Sequence, residues 1–295
     1  MDLTRDQILG ALAVVAAASI WGTLGLFAKI LYAQGVSFES LVAVRASVGW
    51  VAVMTFVLAT GKAKRLRVSG RDLAFLAPQG LIGIGLFYLL YFYTVGESTV
   101  GTAAILLYCS PAFVVLARLF LDEALNAAKV LVLFLTAGGI FLVAGAYDPT
   151  NLEVTTAVLL TGLLSGLTYG LYSIFGRPVT GHLNPSVILS YALFFGGLLL
   201  YAFAIPTLDT LASLPIGSYA LLLMLAVVHT TLGFALYTFG LARLGAGRAA
   251  ILATVEPVVA GVLGIALLGE ALTIPKAAGA LLVISGAALA QARSG

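Results

Sequence analysis

The chain has 295 residues, of which 61% are hydrophobic and only 9% are Asp, Glu, Lys or Arg, with a formal net charge of +3. Soluble domains carry roughly 25% charged residues, so this chain cannot cover a water-facing surface. The composition excludes a soluble enzyme or nucleic-acid binder and places the chain in a lipid bilayer.

Apolar runs of about 20 residues, each long enough to cross a ~30 Å hydrocarbon core as a helix, recur along the whole length. They lie at 8–32, 38–59, 73–95, 99–120, 127–146, 154–175, 186–204, 217–241, 247–268 and 275–292. None alternates polar and apolar residues as the strands of a membrane barrel would, so all ten are expected to be helices. The first run follows MDLTRDQ, which lacks the positive charge of a secretory leader, and it continues well past the small residues AVVAAAS. It is expected to be a retained helix. In the fourth run, Cys109 is the only cysteine, which excludes an internal disulfide framework and a multi-cysteine metal site.

The loops differ in charge. With ten helices, Arg5, Lys62, Lys64, Arg65, Arg67, Arg71, Arg118, Lys129, Arg177, Arg243, Arg248 and Arg293 fall on one side, twelve of the fifteen Lys and Arg residues. The positive-inside rule assigns that side, with both termini, to the cytoplasm of a multi-pass inner (plasma) membrane protein. The other side has Glu39, Glu97, Asp148, Glu153, Asp209 and Glu270, with Lys276 clearly basic. Topology accounts for the basic loop at 62–71 without an anionic-lipid patch.

The chain repeats itself. GTAAILLYCSPAFVVLARLFLDEAL from Gly101 aligns with GRAAILATVEPVVAGVLGIALLGEAL from Gly247, so that Pro111 matches Pro257. Trp21-Gly22 matches Tyr169-Gly170, and Phe27 matches Phe175. Two halves, 1–148 and 149–295, joined at AYDPTNLEVTT, then hold five spans each. An odd number turns the second copy over in the membrane, and such inverted repeats mark transporters that alternate access about a mid-membrane site.

The paired SPAF and EPVVA segments, each followed by (D/G)EAL, resemble the EamA repeat of the drug/metabolite transporter superfamily over nearly the entire chain. The whole is most similar to YddG-type bacterial aromatic amino-acid exporters. The resemblance implies an all-α membrane protein, a ten-helix bundle around a central cavity lined mainly by the first, third, fourth, sixth, eighth and ninth helices, exporting small metabolites.

The residues themselves mark candidates for that cavity. Pro257 cannot donate to the carbonyl of Ala253, nor Pro111 to that of Leu107, so the ninth and fourth helices should open there as hinges. Glu256 lies near the middle of its span, where a charge costs roughly 2.5–3.5 kcal/mol, and its repeat partner is the neutral Ser110. It either meets a substrate ammonium or carries a proton, or it is a protonated helix tie. His229 either ties two helices or faces the cavity. Trp21 and Tyr169, at matched positions away from the interface, either wall a cavity or simply pack. Tyr88, Tyr108, Tyr172 and Gln79 are further candidates of that kind. Tyr91, Tyr93, Tyr201 and Tyr237 read as belt residues, and Arg45 and Lys29 as snorkelling toward the outer surface or meeting Glu39. Glu123 and Glu270, at loop-to-helix transitions, read as caps. Gly162, Gly166 and Gly170 put a flat face on the sixth helix for close packing.

No nucleotide-cradling, zinc-binding or diphosphate-binding motif is present. The expectation is therefore a secondary transporter, not an enzyme, without metal or other cofactor. It would export large neutral or aromatic amino acids, with the bilayer and a small-molecule substrate as partners, no nucleic acid, and a monomer as one option for its assembly. A multidrug or organic-cation exporter and, in another class, an intramembrane lipid-acting enzyme are the alternatives.

Overall fold

The computed structural model describes residues 4–61, 63–119, 126–148, 152 and 154–292. Helices α1 (Arg5–Ala33), α2 (Phe38–Ala59), α3 (Gly70–Glu97), α4 (Val100–Ala117), α6 (Thr156–Thr180), α7 (Pro185–Ser213), α8 (Ile216–Leu244), α9 (Gly247–Leu268) and α10 (Ile274–Gln291) are long and apolar enough to cross a membrane. The shorter α5 spans Ala127–Val143. All ten expected spans are present, and no strand occurs among the described residues. Glu123, Pro149, Glu153, Lys62 and Arg293, each given a sequence expectation, lie outside the described residues.

The helices start where the sequence supplies an oxygen. Thr4, Ser37, Ser69, Thr99, Asn126, Thr155 and Asn184 each accept a backbone N–H of the following first turn, and Thr4 and Ser69 form reciprocal capping boxes with Gln7 and Asp72. Such caps satisfy donors that lipid cannot. Pro185 then opens α7 at its first position, where no N–H is needed.

Packing crosses between the halves. Helix α1 lies against α8 and α3 against α6, α1 and α4 pack on α9 and α6 respectively, while α2 meets α7, α4 meets α9 and α5 meets α10. Exchanging each helix with its repeat partner maps this set of pairs onto itself, as a two-fold relation between two repeats requires. One buried core joins α1, α2, α3, α7 and α8 through Leu31, Leu41, Val42, Phe92, Leu193 and Leu225. Since lipid tails are as apolar as leucine, close backbone approach matters more than hydrophobic burial. At the α5–α10 crossing a Cβ on Gly139 would stand 2.7 Å from the Gly279 carbonyl, and one on Gly279 would stand 2.7 Å from that of Gly139.

Glu270 is a cap, though not of the helix after it. Its carboxylate accepts the N–H groups of Val100 at 2.7 Å and Gly101 at 3.4 Å, the first turn of α4 in the other half. Beside it the Lys29 ammonium donates to the Gly96 carbonyl at 2.9 Å. The two contacts tie the ends of α1, α3, α4 and α9 together on one face.

Candidate functional site

Five of the helices depart from regular α geometry at mid-span. Helix α4 breaks after Leu107 and α9 after Ala253, three residues before Pro111 and Pro257. At the α9 break Thr254 turns both its N–H (3.1 Å) and its hydroxyl (2.7 Å) to the Ile251 carbonyl. Thr23 does the same to Ile20, at 3.1 and 2.7 Å, and breaks α1 without any proline. Helices α3 and α8 carry π-helical segments at Leu81–Leu86 and Val227–Leu232, which occupy equivalent positions in the two halves. Such segments leave carbonyls out of the regular ladder and collect at functional sites.

The freed carbonyl of Ala253 is met from the other half. The Tyr108 hydroxyl of α4 lies 2.7 Å from it and 3.0 Å from Glu256 Oε2. A phenol has one hydrogen, so it donates to one of these acceptors only. Both contacts are hydrogen bonds at once when Tyr108 donates to Ala253 and a protonated Glu256 donates to Tyr108. Glu256 is half-buried, and a Cβ on Gly22 of α1 would stand 2.8 Å from its backbone carbonyl. The matched α4 break lies on the glycine face of α6, where a Cβ on Gly166 would be 3.0 and 3.1 Å from the Leu106 and Leu107 carbonyls. Ser110 is buried there, its backbone N and O facing Gly166 and Gly170.

Aromatic rings extend from this junction. The Phe87 ring lies 5.4 Å from Tyr88, 5.8 Å from Tyr91 and 5.2 Å from Tyr169, and Trp21 lies 5.5 Å from Tyr237. Tyr169 is within electrostatic reach of Glu256 on α9, Tyr237 on α8, Tyr172 on α6 and Tyr88 on α3. It is nonetheless 44% exposed. Neighbours on four helices thus leave the ring partly uncovered.

Two candidates are committed to helix joints. His229 is 2% exposed. Its Nε2 stands 2.7 Å from Thr23 Oγ1, and the imidazole is the donor when the Thr23 hydrogen goes to Ile20. Its backbone carbonyl takes the Trp21 indole N–H at 2.8 Å, and Phe27 meets the ring edge-on. Helix α1 is thereby fastened to the π segment of α8. On the equivalent α3–α6 joint, Gln79, 1% exposed, donates to the Tyr172 carbonyl at 3.3 Å while its Oε1 has no hydrogen-bond partner.

Two sequence expectations need correction. Tyr91 is buried between Phe87 and Phe92 and is no belt residue. Arg45 does not reach the surface: it is 5% exposed, with its guanidinium 4.4 Å above the Tyr88 ring and 5.5 Å from that of Phe92. Phe87, Tyr237 and Arg45 thus belong to the site's surroundings; Phe87 was not singled out in sequence, and Tyr237 and Arg45 were read there as a belt residue and a snorkelling one. The only signal for Arg45 was a cation well inside an apolar span.

Two stretches of the chain, residues 8–145 and 156–291, match the EamA-like transporter family. The chain is 28% identical to an inner membrane transporter, YicL, of Salmonella typhimurium over 280 residues, 94% of this chain and 93% of the relative. It is 27% identical to a transporter of Archaeoglobus fulgidus over 290 residues, 97% of each chain. A more distant relative, 24% identical over 245 residues (83% of this chain and 82% of the relative), is a probable terminal-alkyne amino-acid exporter of Streptantibioticus cattleyicolor. A crystal structure at 20% identity shares the fold with a TM-score of 0.63, covering 95% of this chain and 96% of the other.

Proposed function

The chain belongs to the EamA-like transporter family, and on that premise we propose that it exports large neutral and aromatic amino acids by alternating access. The observation that carries the reading is the junction of Tyr108, Glu256 and the Ala253 carbonyl, bordered by an aromatic lining. Trp21, Tyr88, Tyr169 and Tyr172 hold the apolar side chain. A substrate ammonium replaces the proton between Glu256 and Tyr108 and takes up the carbonyl freed by Pro257. His229, Gln79 and Ser110 act at one remove, by holding α1, α3 and α6 in register with the α4 and α9 breaks.

The two halves, 1–148 and 149–295, rock about the hinges at Pro111 and Pro257. Both termini are cytoplasmic, which the twelve Lys and Arg residues on one side support. The Glu270 and Lys29 contacts, which tie helix ends on the opposite face, serve in this reading as its closure. The distant amino-acid exporter relative favours this substrate class over others. Glu256 alone would equally suit an organic cation, but a buried cation nearby, Arg45, would repel one.

Accumulation of labelled phenylalanine in inside-out membrane vesicles tests the reading. Uptake above that of vesicles without the protein, reduced at least about tenfold in Glu256→Ala, is the expected result. Absence of phenylalanine uptake by the wild type rejects it.

A further inference from the structure

Arg45 is a buried charge within the second span. The Arg45 Nε is buried without a hydrogen-bond partner, and no ion pair to Arg45 occurs among the described residues. The ring faces of Tyr88 and Phe92 are what the guanidinium meets. A cation–π contact offsets part of the desolvation of a guanidinium but leaves the buried Nε–H without an acceptor. Isolated charges at such depth persist where they meet a counter-charge or a solute path.

Its location restricts what that counter-charge is. Arg45 lies within electrostatic reach of Glu256 and His229, yet it forms no salt bridge with Glu256. Tyr88, on which it stacks, continues through Phe87 to Tyr169. A cation and a carboxylate therefore border one aromatic lining without neutralising each other. A small zwitterion has the complementary arrangement, with an ammonium and a carboxylate a few atoms apart. The planar guanidinium also matches a carboxylate with two parallel hydrogen bonds.

We infer that Arg45 is the anchor for the substrate's carboxylate, so that the solute must carry an acid group as well as an apolar side chain. The inference rests on the amino-acid reading of the same site and adds the residue that separates amino acids from amines. It predicts that loss of the acid group is as harmful to binding as loss of the arginine.

The test uses the full chain in lipid and three probes: L-phenylalanine, L-phenylalaninamide, which lacks the acid, and 3-phenylpropionate, which lacks the ammonium. In the wild type phenylalanine should bind at least about tenfold more tightly than its amide, the order expected for losing one hydrogen bond between charged groups. Arg45→Gln should weaken phenylalanine by about 10- to 100-fold and leave the amide unchanged, and Arg45→Lys should restore part of the loss. Equal weakening of acid and amide, or of neither, overturns the anchor. If Arg45→Gln does not fold, the wild-type series decides alone, and equal affinity for phenylalanine and its amide overturns it.

The probes also separate this inference from the reading beneath it. Binding of 3-phenylpropionate but not phenylalanine, lost in Arg45→Gln, upholds the anchor and rejects the amino-acid assignment. Preference for the amide rejects the anchor and favours an organic-cation exporter, and binding of none of the three rejects both.

Discussion

Changing Tyr108 to Phe removes a single oxygen from the contact between α4 and α9. That oxygen stands 2.7 Å from the Ala253 carbonyl and 3.0 Å from Glu256 Oε2, so its loss strips both of their partner. A partly buried acceptor left without a donor costs about 1–3 kcal/mol, and Pro257 has no N–H to replace it. Glu256→Gln keeps the volume and removes the acid, at a cost of the same order. If Tyr108 and Glu256 are hydrogen-bonded to each other, the double variant must cost less than the sum, with a coupling of about 0.5–3 kcal/mol. Equilibrium unfolding of the wild type, both single variants and the double variant in mixed micelles measures it. Additivity to within about 0.5 kcal/mol refutes a hydrogen bond between them.

Other expectations follow from the same geometry. Gly22→Ala places a Cβ 2.8 Å from the Glu256 carbonyl and 2.8 Å from Val259 Cβ; it should lower transport at least about tenfold, whereas Gly197→Ala, with nothing within 4 Å, should leave transport unchanged. Steady-state transport by equal amounts of folded protein checks this pair. Glu270→Gln weakens an anionic cap on α4, worth about 0.3–1 kcal/mol. Thiol labelling of Ser98→Cys beside that cap should become faster as the face opens, and an unchanged rate would deny the contact a closing role. Arg65→Cys should react with a membrane-impermeant maleimide only from the cytoplasmic side and Ser213→Cys only from outside; the native Cys109, 1% exposed, should stay silent. The reverse pattern would invert the orientation.

Much of the architecture was legible because a membrane narrows the choices. With helices as the permitted spanners, apolar length located all ten. Exceptions lay at ends where water resumes control: α3 starts at Gly70, set by the Ser69 cap, and α7 continues to Ser213 as a 3₁₀ segment. The repeat was visible in AAIL and in the matched prolines, and both prolines do sit just after a break. The break at Thr23 was not visible, since a threonine hydroxyl turned onto its own helix has no signature in composition. The π segments LIGIGL and VVHTTL share no residue pattern beyond the final leucine; the first packs on α7 and α6 and the second on α2 and α1, contacts that the sequence does not announce.

The site was legible in its residue types more than in their roles. Glu256 and Tyr108 stood out as polar groups in apolar spans, and the fold places them in contact. Arg45 was misread because α2 is apolar all round, so nothing in the sequence says which way its eighth residue faces. Glu270 was read as a cap, but the helix it caps is 170 residues away, a partnership set by topology alone.

The most direct test of the transport assignment is counterflow in proteoliposomes of labelled phenylalanine, threonine and a quaternary ammonium, with and without a pH gradient, in the wild type and Glu256→Gln. The account predicts exchange of phenylalanine in preference to the ammonium, with a response to the gradient in the wild type that Glu256→Gln lacks. Movement of the quaternary ammonium but of neither amino acid, or phenylalanine exchange identical in both proteins, would contradict it.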